Sequence, residues 1–457
     1  MKYEEFKDRW PVFRYHDFEV IETPWELQIR YDFEIEGLSY FNPEFSIAKP
    51  KDCGYVGMLR TVREAAFSLG MVELISYWKL TCAPTVIVEC GSLNEDQIAW
   101  WKKLYFNGLG EFFYRNHIET SIDTFMDLKG VGGSADGEWD DRRFSGNLIP
   151  VGGGKDSFVT LDLLKGEYGN NTAFVINHVK SAVHAAEAAG YTGDKLIVAE
   201  RTLDPRMLDF NKQGFLNGHT PFSALAAFAS SLAAIVYGRK YICLSNEASA
   251  NESTIHDSKV NHQYSKTFEF EQDFKYYMDT YVTGQVHYFS FLRPISELMI
   301  AGIFSTLKQY HAVFRSCNVG QKEEKWCGHC AKCLFVCIMM SAYLDPQAVI
   351  DIFHRDMLND PEMKDLFEQL TGMQDDKPFE CVGTRDEVNT AVCMAIRNME
   401  KNNEELPYLY RLYKETSYYN AYKDRNVDWT FWNKDNLLPE QYAEILKKKL
   451  EEMNSHE

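Results

Sequence analysis

Positive charge is what this sequence is short of. Its 48 lysines and arginines face 67 aspartates and glutamates, a formal net charge of −19 at neutral pH. Nucleic-acid backbones draw basic surfaces, so this balance argues against nucleic acid as a partner. Anionic small molecules stay open, because a local basic pocket overrides a diffuse acidic field. Long apolar runs are lacking as well. The opening Met1-Lys2-Tyr3-Glu4-Glu5-Phe6-Lys7 has no apolar core behind a basic patch. The longest apolar stretch, Pro221 to Tyr237, is short, rich in alanine and interrupted by Ser223, Ser230 and Ser231. The first absence speaks against a secretion signal and the second against a membrane span. The expectation is a cytoplasmic protein with no membrane partner and a buried helix over 221–237.

What is present is length and texture. A chain of 457 residues exceeds one hydrophobic core, so two or three domains are expected. Residues 1–145 open with alternating segments, Phe18 to Glu22 and Leu27 to Tyr31, that predict antiparallel strands in an N-terminal α+β domain. A helix is expected from Val62 to Trp78, a strand at Thr85 to Glu89, a helix from Asn94, and a linker from Gly130 to Asp141. Over 146–344 strands alternate with helices: Leu148 to Val151, Ala173 to Ile176, Lys195 to Ala199 and Tyr241 to Leu244. That order predicts an α/β fold with a parallel sheet covered on both faces. Residues 345–457 read as a C-terminal helical region.

Gly152-Gly153-Gly154-Lys155-Asp156-Ser157 falls between the first of these strands and its helix, where a parallel sheet opens its ligand crevice. Three glycines allow a tight turn and close backbone approach to a ligand. The amides that follow lie at a helix N-terminus, which favours phosphate. Lys155 would neutralise phosphate and Ser157 would donate to it. Asp156 would repel it unless magnesium lay between, which assigns the aspartate a metal role. The plain alternative is a tight turn with Asp156 or Ser157 as helix cap. The loop is not a Walker motif, since position 149 is Ile and Asp156 follows Lys155. It also lacks the Gly-x-Gly-x-x-Gly dinucleotide spacing.

Eleven cysteines without a secretion signal do not suggest a disulfide framework. Six are scattered, and five crowd between Cys317 and Cys337. Cys317, Cys327, Cys330 and Cys333 are spaced to grip one tetrahedral ion, with zinc as the default and an iron–sulfur cluster as the rival. Four sulfurs would make zinc structural. Cys337, in the apolar run Leu334 to Met340, reads as a core cysteine, and His329 is left out on steric grounds.

The loop resembles the Ser-Gly-Gly-x-Asp-Ser signature of the PP-loop ATP pyrophosphatases, with Gly152 standing where the first serine usually does. By that resemblance the chain would use ATP, cleaving it to AMP and pyrophosphate while adenylating its substrate. Asn177 and His178 would lie near the adenosine, and Ser245, Asn246 and Glu247 would close the other side of the nucleotide. A cysteine cluster beside such a loop is similar to 7-cyano-7-deazaguanine synthase, which is much shorter. The long N-terminal part, the Val-Gly-Gly-Gly-Lys-Asp-Ser loop and Trp326-Cys327-Gly328-His329-Cys330 look more like another family. These are the ATP-dependent UDP-N-acetylmuramoyl-L-alanyl-L-glutamate epimerases of cell-wall synthesis, a resemblance spanning roughly residues 50–420. Other readings are an amidating ligase, a nucleobase-modifying synthase and a non-catalytic nucleotide sensor.

An epimerase of that kind must loosen the α-hydrogen of a carboxylate. Adenylation removes the carboxylate charge, and a base and an acid then exchange the proton. His219, in the Gly- and Pro-rich loop 214–221, is the first candidate for that exchange, with His256 and Asp257 second. Asn251, Glu252 and Ser253 would bind substrate or cap a helix. Arg201, Arg206, Lys259 and Arg293 are candidate clamps for the anionic UDP-muramoyl dipeptide.

Overall fold

The computed structural model describes the chain except residues 1–2, 51–52, 134–135, 249–263, 321–322, 376, 379, 381 and 456–457. His256, Asp257, Lys259 and Asn251 to Ser253 therefore lie outside the described residues. The described strands are β1 (Val12–Glu22), β2 (Glu26–Ile35), β3 (Ser39–Phe41), β4 (Glu44–Ala48), β5 (Thr85–Val88), β6 (Asp127–Gly130), β7 (Asn147–Pro150), β8 (Asn171–Ile176), β9 (Leu196–Arg201), β10 (Tyr241–Leu244) and β11 (His287–Ser290). Two compact units share them. The first takes in Met1–Leu148, Ile197–Ile242 and Val260–Tyr288, and the second Ile149–Leu196, Cys243–Lys259 and Phe289–Glu457.

The first unit grows from the β1–β2 hairpin, whose antiparallel register runs from Phe13↔Ile35 to Glu22↔Leu27. Leu27, Ile29, Tyr31, Phe33 and Ile35 are buried and alternate with more exposed polar residues, the period-two signature of a sheet with one buried face. Thr23 closes the turn, its Oγ1 accepting from the amides of Trp25 and Glu26. A bulge between Tyr15 and Asp17 breaks the register. Strand β5 lies parallel to β1, and β6 parallel to β5. The helix Arg60–Trp78 packs on β1 and β2 and against Phe222–Tyr237, an almost wholly buried helix that stops at left-handed Gly238. The expected buried helix over 221–237 is therefore present. Among the described residues no helix is long and apolar enough to cross a membrane.

One expectation needs correcting. The sheet is mixed, because β9 pairs antiparallel with β4, Phe45 opposite Arg201. The N-terminal hairpin supplies an antiparallel neighbour to a strand read as part of a parallel set, a common arrangement at the margin of α/β sheets.

In the second unit the chain leaves β7, and Val151 donates to the carbonyl of Phe174 on β8. The helix Lys155–Leu163 follows at once and packs against Glu297–Ser305. Behind that helix lie Ala331–Ser341 and Arg385–Lys401. Beyond Pro346 the described regular elements are helical, as the charge-rich texture of that stretch predicts.

Candidate functional site

The three glycines of the loop do not have one reason between them. Gly153 adopts φ +88°, and a Cβ there would stand 2.8 Å from the carbonyl oxygen of Ser181. At Gly154 a Cβ would approach Ser316 Oγ to 2.6 Å. Packing within the protein explains both. Gly152 is different: only Ser157 Oγ, at 3.9 Å, comes near its missing side chain. That open space is what a closely approaching ligand would need.

Gly154 is also the N-cap of Lys155–Leu163, so no side chain covers the first amides of that helix. Ser157 Oγ accepts from the Gly152 amide at 3.0 Å, which leaves its own hydrogen free to donate elsewhere. Ser245 donates to Thr160 of the same helix at 2.9 Å, and the Asn246 amide donates to Ser290 Oγ at 3.2 Å. Asn177, at the end of β8, takes a left-handed conformation with φ +59°. Loop, Asn177 and the 245–247 turn all belong to the second unit.

Lys155 is buried, and its Nζ donates to Asp156 and, at 2.7 Å, to Glu297 Oε1. Burial alone would pull the ammonium down, yet these carboxylates outweigh it and hold Lys155 above the ordinary lysine value. Burial pushes the Glu297 carboxyl up, against the pull of Lys155 and with help from Asp156 and Glu247. Glu297 Oε2 is buried with no hydrogen-bond partner among the described residues. Its backbone amide donates to Glu387 Oε1 at 2.7 Å, and burial raises that carboxyl too. Sequence reasoning missed Glu297 and Glu387. The available signal for Glu297 was a lone acid heading the apolar run Leu298 to Phe304.

The four expected cysteines do meet. The sulfurs of Cys317, Cys327, Cys330 and Cys333 lie within 4.8 Å of one another, a set that could hold a metal ion. Gly328 turns the knuckle at φ +73°, and Cys330 is the N-cap of Ala331–Ser341, placing Cys333 one turn in. Amides of Gly320 and Cys327 point at Cys317 Sγ, at 3.1 and 3.4 Å. The Cys327–Cys333 and Cys330–Cys333 sulfur separations are 3.7 and 3.5 Å. Zinc–sulfur bonds of about 2.3 Å place tetrahedral sulfurs ~3.8 Å apart, so the residues fit zinc. Hydrogen bonding by Cys333 pulls the Cys330 thiol down, to about 5. His329 is exposed and turned to Arg355, whose Nη1 stands 2.6 Å from its Nε2, and Cys337 is buried on the helix.

The remaining described candidates divide between the two units. His219 belongs to the first unit, its Nδ1 3.8 Å from Glu111 Oε2. Beside it, Lys79 Nζ donates to the Gly218 carbonyl at 2.6 Å. Arg201 grips buried Glu73 with two bonds of 2.7 and 2.8 Å. Arg206 is bound in the same forked way to Asp204. Arg293, in the second unit, is fully buried and donates to the Glu247 carbonyl at 3.0 Å.

These features define an α/β protein built around a strand-to-helix glycine loop and a four-cysteine knuckle, and comparison with known proteins narrows the class. The chain belongs to the MurL family: residues 4–291 match its N-terminal domain and residues 313–424 its C-terminal domain. It is similar to the UDP-N-acetyl-alpha-D-muramoyl-L-alanyl-L-glutamate epimerase of Xanthomonas oryzae pv. oryzae, 32% identical over 74% of this chain and 76% of that one. The like-named enzyme of Micromonospora sp. is 31% identical over 76% of this chain and 77% of its own. No solved structure matches the chain.

Proposed function

We propose that this chain converts the terminal L-glutamate of UDP-N-acetylmuramoyl-L-alanyl-L-glutamate to D-glutamate, using ATP to adenylate a glutamate carboxylate. The names of its relatives support the substrate and the outcome. The observation that carries the ATP reading is the loop itself, with uncapped amides at the head of Lys155–Leu163 and open space beside Gly152.

A substrate carboxylate oxygen attacks the α-phosphorus of ATP, and pyrophosphate leaves. The mixed anhydride carries no carboxylate charge, so the α-proton becomes removable. A base takes that proton from one face and an acid returns one to the other. Water then attacks the acyl carbon, releasing AMP and the D-configured product. Gly152, Gly153, Gly154, Lys155 and Ser157 cradle the phosphates, with Asn177, Asn246 and Glu247 around the nucleotide. Asp156 would hold magnesium, which would supply positive charge to the phosphates. Cys317, Cys327, Cys330 and Cys333 would hold zinc in a structural role, four sulfurs satisfying a tetrahedral ion. His219, next to Glu111, is the proton-transfer candidate. Lys259 and Arg293 stand as the remaining proposed anion contacts, whereas the forks of Arg201 on Glu73 and Arg206 on Asp204 speak against those two. The setting is cytoplasmic precursor synthesis.

The test is incubation of the chain with ATP, magnesium and the UDP-muramoyl dipeptide in deuterated water. D-glutamate carrying α-deuterium after acid hydrolysis is the expected product. An amidated product that appears only with added ammonium would replace this reading with a ligase.

A further inference from the structure

The first unit holds a cavity of about 590 Å³ lined by none of the candidate site residues considered above. That volume suits a small organic ligand. The cavity opens past the carboxyl ends of β5 and β6, lined there by Cys90, Gly91, Ser92 and Gly133, where α/β sheets place ligands.

Its cations are arranged unusually. The helix Arg60–Trp78 begins at the cavity with Arg60 and Arg63 in its first turn, no acidic residue there and no capping side chain. Two cations at the positive end of a helix dipole oppose it unless an anion answers them. Among the described residues Arg63 has no ion pair, and Arg60 has a single stretched one. Arg60 lies over the Trp139 ring, 4.6 Å from its centroid, and reaches Glu64 only at 3.5 Å. Arg63 lies over Phe18 at 5.6 Å, has no ion pair among the described residues, and keeps a buried Nε without a hydrogen-bond partner. Aromatic rings hold both heads in place while their donors stay open.

The same walls carry acceptors. Asp17, Glu64, Asp136, Asn94 and Gln97 line the cavity, so a bare inorganic anion would meet carboxylates as well as arginines. A nucleotide sugar answers both sets: phosphates for the guanidiniums, hydroxyls and an imide N–H for the acids and amides. Its flat base suits the exposed Trp139 face or Tyr281, which a hydrogen bond of 2.6 Å fixes to Asp96.

We propose that this cavity takes the uridine diphosphate end of the substrate, with the diphosphate on Arg60 and Arg63 and the base against the aromatic wall. The assignment of uridine rests on the function proposed above. The loop at Gly152–Ser157, in the second unit, is thereby kept for ATP.

Calorimetric titration of the full chain with UDP tests it, comparing wild type, Arg63→Gln, the Arg60→Gln/Arg63→Gln pair and the surface control Arg30→Gln. Removing one charge-assisted contact is expected to weaken UDP about tenfold, and removing both to weaken it well beyond that. Arg30→Gln should bind UDP as wild type does, and ATP affinity should be unchanged in all four proteins. Equal UDP affinity in wild type and the paired variant overturns the proposal, as does displacement of UDP by ATP in simple competition. If the paired variant fails to fold, hydrogen exchange on the wild type decides: UDP should slow exchange at 60–67 and 90–97, and protection confined elsewhere overturns the site. The two readings fail separately. UDP bound through Arg60 and Arg63 without D-glutamate formation sinks the epimerase; epimerisation with an unmoved substrate KM in the paired variant sinks the site.

Discussion

Arg201 and Arg206 share the first unit with Arg60 and Arg63, yet the two pairs stand in opposite circumstances. Each of the former grips a carboxylate in a fork, Glu73 and Asp204, and those acids are nearly or wholly buried. Each of the latter rests on an aromatic ring, and among the described residues Arg63 has no ion pair while Arg60 meets only Glu64, at 3.5 Å through one nitrogen. A guanidinium already bound bidentately has little left for a ligand, whereas one braced by a ring offers its donors outward. Position after a strand drew attention to Arg201 and Arg206 in the sequence. Partnership, which the sequence does not print, is what separates a strut from a clamp.

Unfolding experiments break or sharpen that contrast. The largest effect is expected at Arg201→Ala, which strands Glu73 in the core without its partner. Loss of a buried pair in this way costs about 3–5 kcal/mol, readable as a lower urea midpoint. A change under about 1 kcal/mol would put Arg201 in the same class as Arg63.

Lys79 is the intermediate case, buried with the Gly218 carbonyl as its one hydrogen-bond acceptor among the described residues. Burial, with Arg201 nearby, pulls its ammonium down to about 8, from an ordinary value of 10.5. Between those values the unfolded chain binds the extra proton, so stability should rise with pH across that window. Lys79→Met should be the more stable protein at pH 7, by on the order of 1 kcal/mol, and its lead should shrink toward pH 10. A constant difference between the two proteins across that range would show that the ammonium is not desolvated. The smallest effect belongs to Arg63→Gln, expected within about 0.5 kcal/mol of wild type by the same urea measurement. A loss of several kcal/mol would make Arg63 a structural residue after all.

Local order was readable from the sequence. The strand, glycine loop and helix at 147–163, the strand at 171–176 and the helix at 222–237 all lie where periodicity and glycine put them. The cysteine spacing likewise sufficed, because three of the four ligands fall within seven residues of chain. Relations across long separations were not readable. Glu297 meets Lys155 from 142 residues away, and nothing near Lys155 announces it. The antiparallel β4–β9 pairing joins residues 45 and 201, so alternation within 146–344 could not reveal it. Arg60 and Arg63 carry no mark in the sequence, because the cavity beside them and the scarcity of carboxylates around Arg63 are three-dimensional facts. Composition told even less about them, since a net acidic chain conceals a local basic spot.

Adenylation at the loop is the step from which the rest follows, and oxygen labelling reaches it directly. The UDP-muramoyl dipeptide is prepared with 18O in its glutamate carboxylates and turned over with unlabelled ATP. One labelled oxygen should appear in the AMP, because water attacking the acyl carbon leaves the bridging oxygen on phosphorus. Unlabelled AMP, or ADP in its place, would contradict a carboxyl adenylate opened by water at its acyl carbon.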